Sequence, residues 1–112
     1  MLLARLTAVL LLLSMATASA AAPVTCPLRI TVSEDVHPLS SARVFRGPVA
    51  DRAELVAVHG HFEFGGIAGG KVPFNLVCVY TGTTEVQTMA LPQDVSICDI
   101  TDAGSGTRVG CH

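Results

Sequence analysis

Two histidines separated by one residue have the clearest potential for chemistry in this chain. In His59-Gly60-His61 both imidazoles would point to the same side of a β-strand, because successive side chains alternate between its faces. Two imidazoles on one face can bind Zn²⁺, and a catalytic zinc site needs a third protein ligand. Glu63 would lie on the same face, and His37 or His112 could approach it from elsewhere in the chain.

The surrounding segment favours a simpler interpretation of these histidines. Residues 55–64 alternate between apolar and polar side chains, which is typical of a strand with one buried and one exposed face. The apolar face would carry Val56, Val58, Phe62 and Phe64, and the other face Ala57, His59, His61 and Glu63. We therefore predict no metal and no cofactor, and we keep metal binding through His59 and His61 as an alternative function.

Other catalytic arrangements are not evident in the sequence. There is no G-x-S-x-G motif that would place a serine nucleophile on a sharp turn. The neighbouring carboxylates Glu34 and Asp35 lie at a predicted turn, where solvated charges are common. We therefore predict that the protein is not an enzyme, and we assign no catalytic residue.

The N-terminal segment predicts export. Met1–Arg5 carries one positive charge, residues 6–15 are almost entirely apolar, and Ala18-Ser19-Ala20 matches the A-x-A cleavage rule. The apolar run is shorter than the roughly 20 residues that a membrane-spanning helix needs. These features indicate a signal peptide over residues 1–20, cleaved after Ala20. They leave a single small domain over residues 21–112 with no membrane anchor.

The charge of the predicted domain excludes one class of partner. Removing Arg5 with the signal peptide leaves six lysines and arginines against nine aspartates and glutamates, a net charge of −3. The arginines are scattered among acidic residues, whereas nucleic-acid binding needs a basic patch. We therefore predict no nucleic-acid partner.

All the cysteines lie in the predicted domain, and they are Cys26, Cys78, Cys98 and Cys111. An even number of cysteines in a small exported chain indicates a disulfide framework, for which three pairings are possible. No two of them have the C-x-x-C spacing of a metal or redox site. Disulfides would also help a core of this size, which is marginal by itself.

Strand patterns occupy the first half of the domain. Residues 28–33 alternate between apolar and polar side chains, and Pro38 is expected to end this strand region because proline lacks a backbone N–H. Ser41–Phe45 is a second strand candidate. Val49–Leu55 could form one or two helical turns after a proline.

The second half predicts a meander built around Phe74–Tyr80. From Leu76 onward this segment is apolar on both faces, which is typical of a central strand. Turns containing Gly82, Pro92 and Gly104 separate the strands that follow. The predicted fold is all-β, a small disulfide-stapled antiparallel sandwich or open barrel with a C-terminal meander. The alternative is an α+β fold with one short helix, at residues 49–55, on a single sheet.

The predicted hairpins favour one disulfide pairing. If the last hairpin is centred on its D-A-G-S-G turn, Cys98 and Cys111 face each other within bridging distance. In the preceding hairpin Cys78 would lie opposite Gln87. By exclusion, Cys26 would pair with Cys78.

An ordered set of short motifs runs through the predicted domain. It consists of Cys26-Pro27-x-x-Ile30-x-Val32, Val44-Phe45-x-Gly47-Pro48, Leu76-Val77-Cys78-x-Tyr80-x-Gly82-Thr83, Leu91-Pro92, Cys98 and Cys111. This set resembles a family of small exported proteobacterial proteins of unknown function. The resemblance implies a periplasmic location in a Gram-negative cell and a four-cysteine scaffold, and it implies no activity. Members of that family usually carry tryptophans between the first strand and the C-x-Y strand, and this chain has none.

Export, small size, disulfides and the lack of a catalytic motif together predict a non-enzymatic binding domain. Its location would be the periplasm or the outside of the cell, and its partner a protein or another component of the envelope. The candidate binding loops are His37–Ser41 and Gly65–Lys71, because loops on a rigid scaffold commonly carry function. A further alternative is an inhibitor of a hydrolase that uses one loop as a plug.

Overall fold

The structure is a computed structural model that describes residues 23–64 and 72–112. The predicted signal peptide with its cleavage site after Ala20, and the loop Gly65–Lys71, lie outside these residues. The strands are β1 (Val24–Thr25), β2 (Arg29–Val32), β3 (Asp35–Arg46), β4 (His61–Glu63), β5 (Phe74–Tyr80), β6 (Val86–Ala90), β7 (Ile97–Ala103) and β8 (Gly106–Cys111). In the part of the chain described, no helix is long and apolar enough to cross a membrane.

The described strands form two antiparallel sheets. The first sheet has the strand order β1-β8-β7-β4 and the second the order β2-β3-β5-β6. Their inner faces pack on a common core to which both sheets contribute buried side chains. The predicted all-β sandwich or open barrel is therefore confirmed. The predicted C-terminal meander is wrong, because β6 and β7 are not paired: the hairpins β5–β6 and β7–β8 lie in different sheets.

Strand β5 lies inside the second sheet, between β3 and β6. Leu76, Cys78 and Tyr80 are buried in the core, and Val77 is buried on the opposite face. The Tyr80 hydroxyl donates a hydrogen bond of 2.8 Å to the carbonyl oxygen of Pro27, which satisfies the polar end of a buried ring. Burial also raises the pKa of Tyr80. The central position follows from the apolar character of both faces of this strand.

Two disulfides stabilise the fold in different ways. Cys98 and Cys111 lie directly opposite each other on β7 and β8, with Cα atoms 4.0 Å apart, so this bridge stays within one sheet. Cys26 follows β1 of the first sheet and is bonded to Cys78 of β5, with Cα atoms 5.8 Å apart. This second bridge therefore joins the two sheets. Both pairs are those favoured by the sequence, Cys98–Cys111 from the hairpin register and Cys26–Cys78 by exclusion, and Cys78 lies opposite Gln87 as expected.

The prediction that Pro38 ends a strand is wrong, because β3 runs through it from Asp35 to Arg46. The carbonyl oxygen of Pro38 accepts a hydrogen bond of 2.9 Å from the N–H of Thr81, just beyond the end of β5. In an antiparallel strand the nitrogen and the carbonyl of one residue point to the same side. The nitrogen of Pro38 therefore faces the carbonyl oxygen of Thr81, beyond the end of β5, and that oxygen instead accepts a hydrogen bond of 2.8 Å from Nδ1 of His37.

Two other local predictions in this part of the chain are also wrong. The candidate loop His37–Ser41 lies within β3, where the register with β5 shifts between residues 39 and 41. The helix of the α+β alternative is absent, and only Val49–Asp51 forms a 3₁₀ turn. Arg52 ends this turn in the left-handed conformation, with φ of +56°. Leu55 then donates its N–H to the Val44 carbonyl (2.8 Å), so the chain returns along β3.

Candidate functional site

A tight turn separates the two histidines that the sequence places on one strand. The predicted strand over residues 55–64 is wrong, because within it only His61–Glu63 forms a strand. His59 and Gly60 are the two central residues of a hairpin turn, with φ of +50° and +74°. Val58 and His61 exchange both backbone hydrogen bonds across it, at 2.9 and 3.0 Å. Glycine is required at position 60, since a Cβ there would lie 2.8 Å from the carbonyl oxygen of Ile100.

This turn changes which side chains are buried. Val56 and Val58 are 86% and 65% exposed, whereas Phe62 and Phe64 are buried in the core. His59 lies in the turn and His61 lies on β4. His59 and His61 therefore do not lie on one face of a single strand, as binding of a metal ion by this pair would require. Among the residues that the structure describes, no group of three His, Cys, Asp or Glu side chains is placed to hold a metal ion.

His61 instead contacts an acidic residue that is distant in sequence. Asp99 lies directly opposite it on β7, and the His61 Nδ1–H donates to Asp99 Oδ1 at 2.5 Å. The other ring nitrogen, Nε2, lies 3.9 Å from Oε2 of Glu63. The hydrogen bond to Asp99 raises the pKa of His61; desolvation opposes this, and the negative charges of Asp99 and Glu63 add to it. His61 therefore gains a positive charge more readily than an isolated histidine.

The His61–Asp99 pair holds a proton but lacks the other parts of a catalytic site. A carboxylate that orients an imidazole is one element of nucleophilic catalysis, which also needs a hydroxyl or thiol bonded to the second ring nitrogen. In the described chain the Glu63 carboxylate lies 3.9 Å from that nitrogen, and the cysteines are in disulfides. Both partners are partly exposed, so the arrangement is an accessible, pH-dependent ion pair.

The free edge of the second sheet offers a different kind of site. Strand β6 ends this sheet, and the segment Val86-Gln87-Thr88-Met89-Ala90 contains neither a charge nor a proline. The N–H of Leu91 donates to the Phe74 carbonyl (2.8 Å), which sets the alternation along β6. Residues 87 and 89 therefore direct their backbone groups to β5, and Val86, Thr88 and Ala90 direct theirs outward. Within residues 23–64 and 72–112 no strand pairs with this edge.

The outer face next to this edge is mostly uncharged. Three rows of side chains cross it from β3 to β6, namely Ser41–Val79–Val86, Arg43–Val77–Thr88 and Phe45–Asn75–Ala90. The single charge in these rows belongs to Arg43, whose guanidinium donates two hydrogen bonds of 2.7 Å to the Glu54 carboxylate. The pKa of Glu54 is lowered by these bonds. We call these three rows together with the free edge of β6 the β6 surface.

The sequence could not reveal either feature directly. The contact between His61 and Asp99 depends on pairing of β4 with β7, and no local turn signals that pairing. The free edge of β6 depends on β7 leaving the second sheet for the first, although the two strands follow each other in the chain. The lack of charge in residues 86–90 could have indicated an edge adapted for binding, since exposed edge strands usually carry charges or proline.

Comparison of the chain with protein-family models, with curated proteins and with solved structures found no match. The resemblance to a family of exported proteobacterial proteins therefore stays a prediction. The disulfides, the charged His61–Asp99 pair and the β6 surface are the features that bear on function.

Proposed function

We propose that this protein is an exported, non-enzymatic binding domain that binds an extended segment of a partner protein along β6. The observation that carries the proposal is the free edge of this strand. Val86, Thr88 and Ala90 direct backbone N–H and C=O groups outward, and neither charge nor proline protects them. An added antiparallel strand would form hydrogen bonds with all of these groups, which is a common mode of peptide recognition.

The β6 surface also indicates the chemistry of the segment it would bind. An added strand would place alternate side chains beside Val86 and Thr88, in line with the buried Val77 of the same face. Val86 is 46% exposed and has no charged neighbour within the strand. Uncharged or aliphatic side chains fit this environment, because a charged side chain would lose hydration without gaining a partner. The proposed ligand is therefore an extended, largely uncharged segment.

The disulfides support a location outside the cytoplasm. Both bridges are structural, lie in or next to strands and involve buried cysteines. Such bonds form and persist in oxidising compartments such as the periplasm. The signal peptide predicted over residues 1–20 points to the same location, and a Gram-negative periplasm is the compartment that we propose.

One backbone substitution tests this mode of binding. Thr88→Pro removes an outward N–H and leaves the hydrogen bonds between β5 and β6 intact, because residues 87 and 89 make those bonds. Thr88→Ala is the matched control, since it removes the side chain and keeps the N–H. Both variants and the native protein are used to capture cross-linked partners from envelope extract. We expect a partner that native protein and Thr88→Ala retain and Thr88→Pro loses.

Hydrogen exchange of the purified complex gives a second measurement. The amides of Val86, Thr88 and Ala90 should exchange rapidly in the free protein and slowly in the complex, because the added strand accepts their hydrogen bonds. Retention of the same partner by Thr88→Pro would contradict the proposal. A dimer in sedimentation whose Val86, Thr88 and Ala90 amides already exchange slowly would also contradict it, because β6 would then be paired with a second copy of the chain.

A further inference from the structure

We propose that a depression between the β2–β3 hairpin and the β7–β8 turn binds a carboxylate carried on an aliphatic chain. The depression has a volume of about 370 Å³ and lies where one hairpin of each sheet meets the other. This volume is within the range of roughly 300–1,000 Å³ that small-molecule sites occupy. The site is separate from the β6 surface, because β2 and β6 are opposite edges of the second sheet.

The charges that line the depression are all positive. Arg29 of β2 and Arg108 of β8 line it, and none of its lining residues is acidic. In the described part of the chain neither arginine forms an ion pair, whereas Arg43 is bonded to Glu54. Arginine binds carboxylates with paired, charge-assisted hydrogen bonds, so an anion is the complementary ligand.

The apolar part of the depression indicates that the anion carries a hydrocarbon chain. Leu28 and Val36 are 49% and 59% exposed, and both line the same depression as the arginines. Leu39, which is buried, and Pro38 extend this apolar wall. An aliphatic chain placed here would remove part of Leu28 and Val36 from water, at roughly 25 cal/mol per Å². An inorganic anion would be held by the arginines alone.

Both walls of the depression belong to hydrogen-bonded strands. The N–H of Leu39 donates to the Leu28 carbonyl at 2.9 Å, and Arg29 is paired with Pro38 across the hairpin. On the other wall, the Thr107 hydroxyl donates to Oδ1 of Asp102 at 2.8 Å. The backbone that carries the two arginines is therefore already ordered. Binding does not have to offset the entropy of ordering it, which favours affinity.

Two natural sources share this ligand chemistry. One is the C-terminal residue of a polypeptide with an aliphatic side chain, and the other is a free fatty acid. Octanoate represents the fatty acid, and a short peptide ending in leucine with a free carboxylate represents the polypeptide. The same peptide with an amidated C-terminus lacks the charge, and octanol keeps the hydrocarbon chain without the carboxylate.

The experiment is a titration of the ¹⁵N-labelled domain, in its disulfide-bonded form, with each of these compounds by NMR. We expect octanoate or the free-acid peptide to shift the amides of residues 28–29, 36–39 and 105–108, and the compound that binds more tightly identifies the source. Arg29→Gln and Arg108→Gln should each weaken this binding about tenfold, the effect of losing one charge-assisted hydrogen bond. Arg46→Gln, which changes an exposed arginine at the far end of β3, should leave it unchanged.

Several outcomes would overturn the proposal. Equal affinity of the amidated and free-acid peptides would show that the carboxylate is not recognised, and equal affinity of octanol and octanoate would show the same. Unchanged affinity in both Arg29→Gln and Arg108→Gln would do so as well. Shifts confined to residues outside the depression would place the ligand elsewhere. Because Arg29 and Arg108 are exposed, both variants are expected to fold, and their amide spectra check this directly.

Discussion

Removing the disulfide between the sheets should destabilise the protein more than removing the disulfide within one sheet. The perturbation is the double substitution Cys26→Ala and Cys78→Ala, compared with Cys98→Ala and Cys111→Ala. The first bridge closes a loop with a sequence separation of 52 residues and the second one of 13. A cross-link stabilises by restricting the unfolded chain, and the effect grows with the logarithm of loop length.

The expected magnitudes follow from these separations. The loop-closure relation gives about 4 kcal/mol for the bridge between the sheets and about 3 kcal/mol for the other. The cysteines of both bridges are almost fully buried, so removing either pair of sulfur atoms weakens the packing of the core to a similar extent. The difference of about 1 kcal/mol therefore reports the loop length. Both losses of stability are large compared with the roughly 5–15 kcal/mol by which small domains are stable.

The assay is urea unfolding followed by far-UV circular dichroism, because the chain has no tryptophan and one tyrosine for fluorescence. The free energy of unfolding is compared among the native protein and the two double variants, each purified under the same conditions. Equal losses in the two variants, or a larger loss in the Cys98→Ala and Cys111→Ala variant, would refute the loop-length reasoning. A loss below about 1 kcal/mol for the bridge between the sheets would show that the bond is not a main source of stability.

Three further predictions concern single residues. Gly60→Ala should lower the free energy of unfolding by about 1–2 kcal/mol, because the φ of Gly60 is positive and a Cβ would contact the facing strand. Gly104→Ala should lower it less, because a Cβ at position 104 meets open space. Thermal unfolding of both variants measures the difference. Asp99→Asn should lower the pKa of His61 in an NMR titration, and an unchanged midpoint would contradict the proposed bond. Because that pKa is raised in the folded state, the pair stabilises the protein fully below the usual histidine pKa and less as pH rises through the folded value. Tyr80→Phe removes one hydrogen bond from a buried ring and should cost about 1 kcal/mol in urea unfolding; no loss would mean that water replaces the hydroxyl.

Local patterns in the sequence were sufficient for the hairpins and their consequences. The turn near Gly104 sets the register of β7 and β8, and this register alone places Cys98 opposite Cys111. The central position of β5 follows from its two apolar faces. In these cases the residues that decide the structure are close in sequence, so their spacing carries the necessary information.

Predictions failed where distant pairing decided the outcome, and in one case where a local turn was not recognised. Pro38 is tolerated because its nitrogen faces the end of β5, which only the register of two distant strands determines. Val56 was predicted to be buried because alternation was assumed to continue through a segment that contains a tight turn. The contact between His61 and Asp99 depends on pairing across 38 residues. Sequence alone therefore predicted the fold class and missed the residues that meet on its outer faces.

The connectivity of the disulfides has a consequence for how the protein acquires them. Each cysteine is bonded to its neighbour in chain order, Cys26 to Cys78 and Cys98 to Cys111. A polypeptide that enters an oxidising compartment from its N-terminus presents the first two thiols before the third has emerged. Oxidation in order of emergence then produces the native bonds without thiol–disulfide exchange, which takes seconds to hours. If the protein is exported as proposed, maturation of this domain should therefore require an oxidant and no disulfide isomerase.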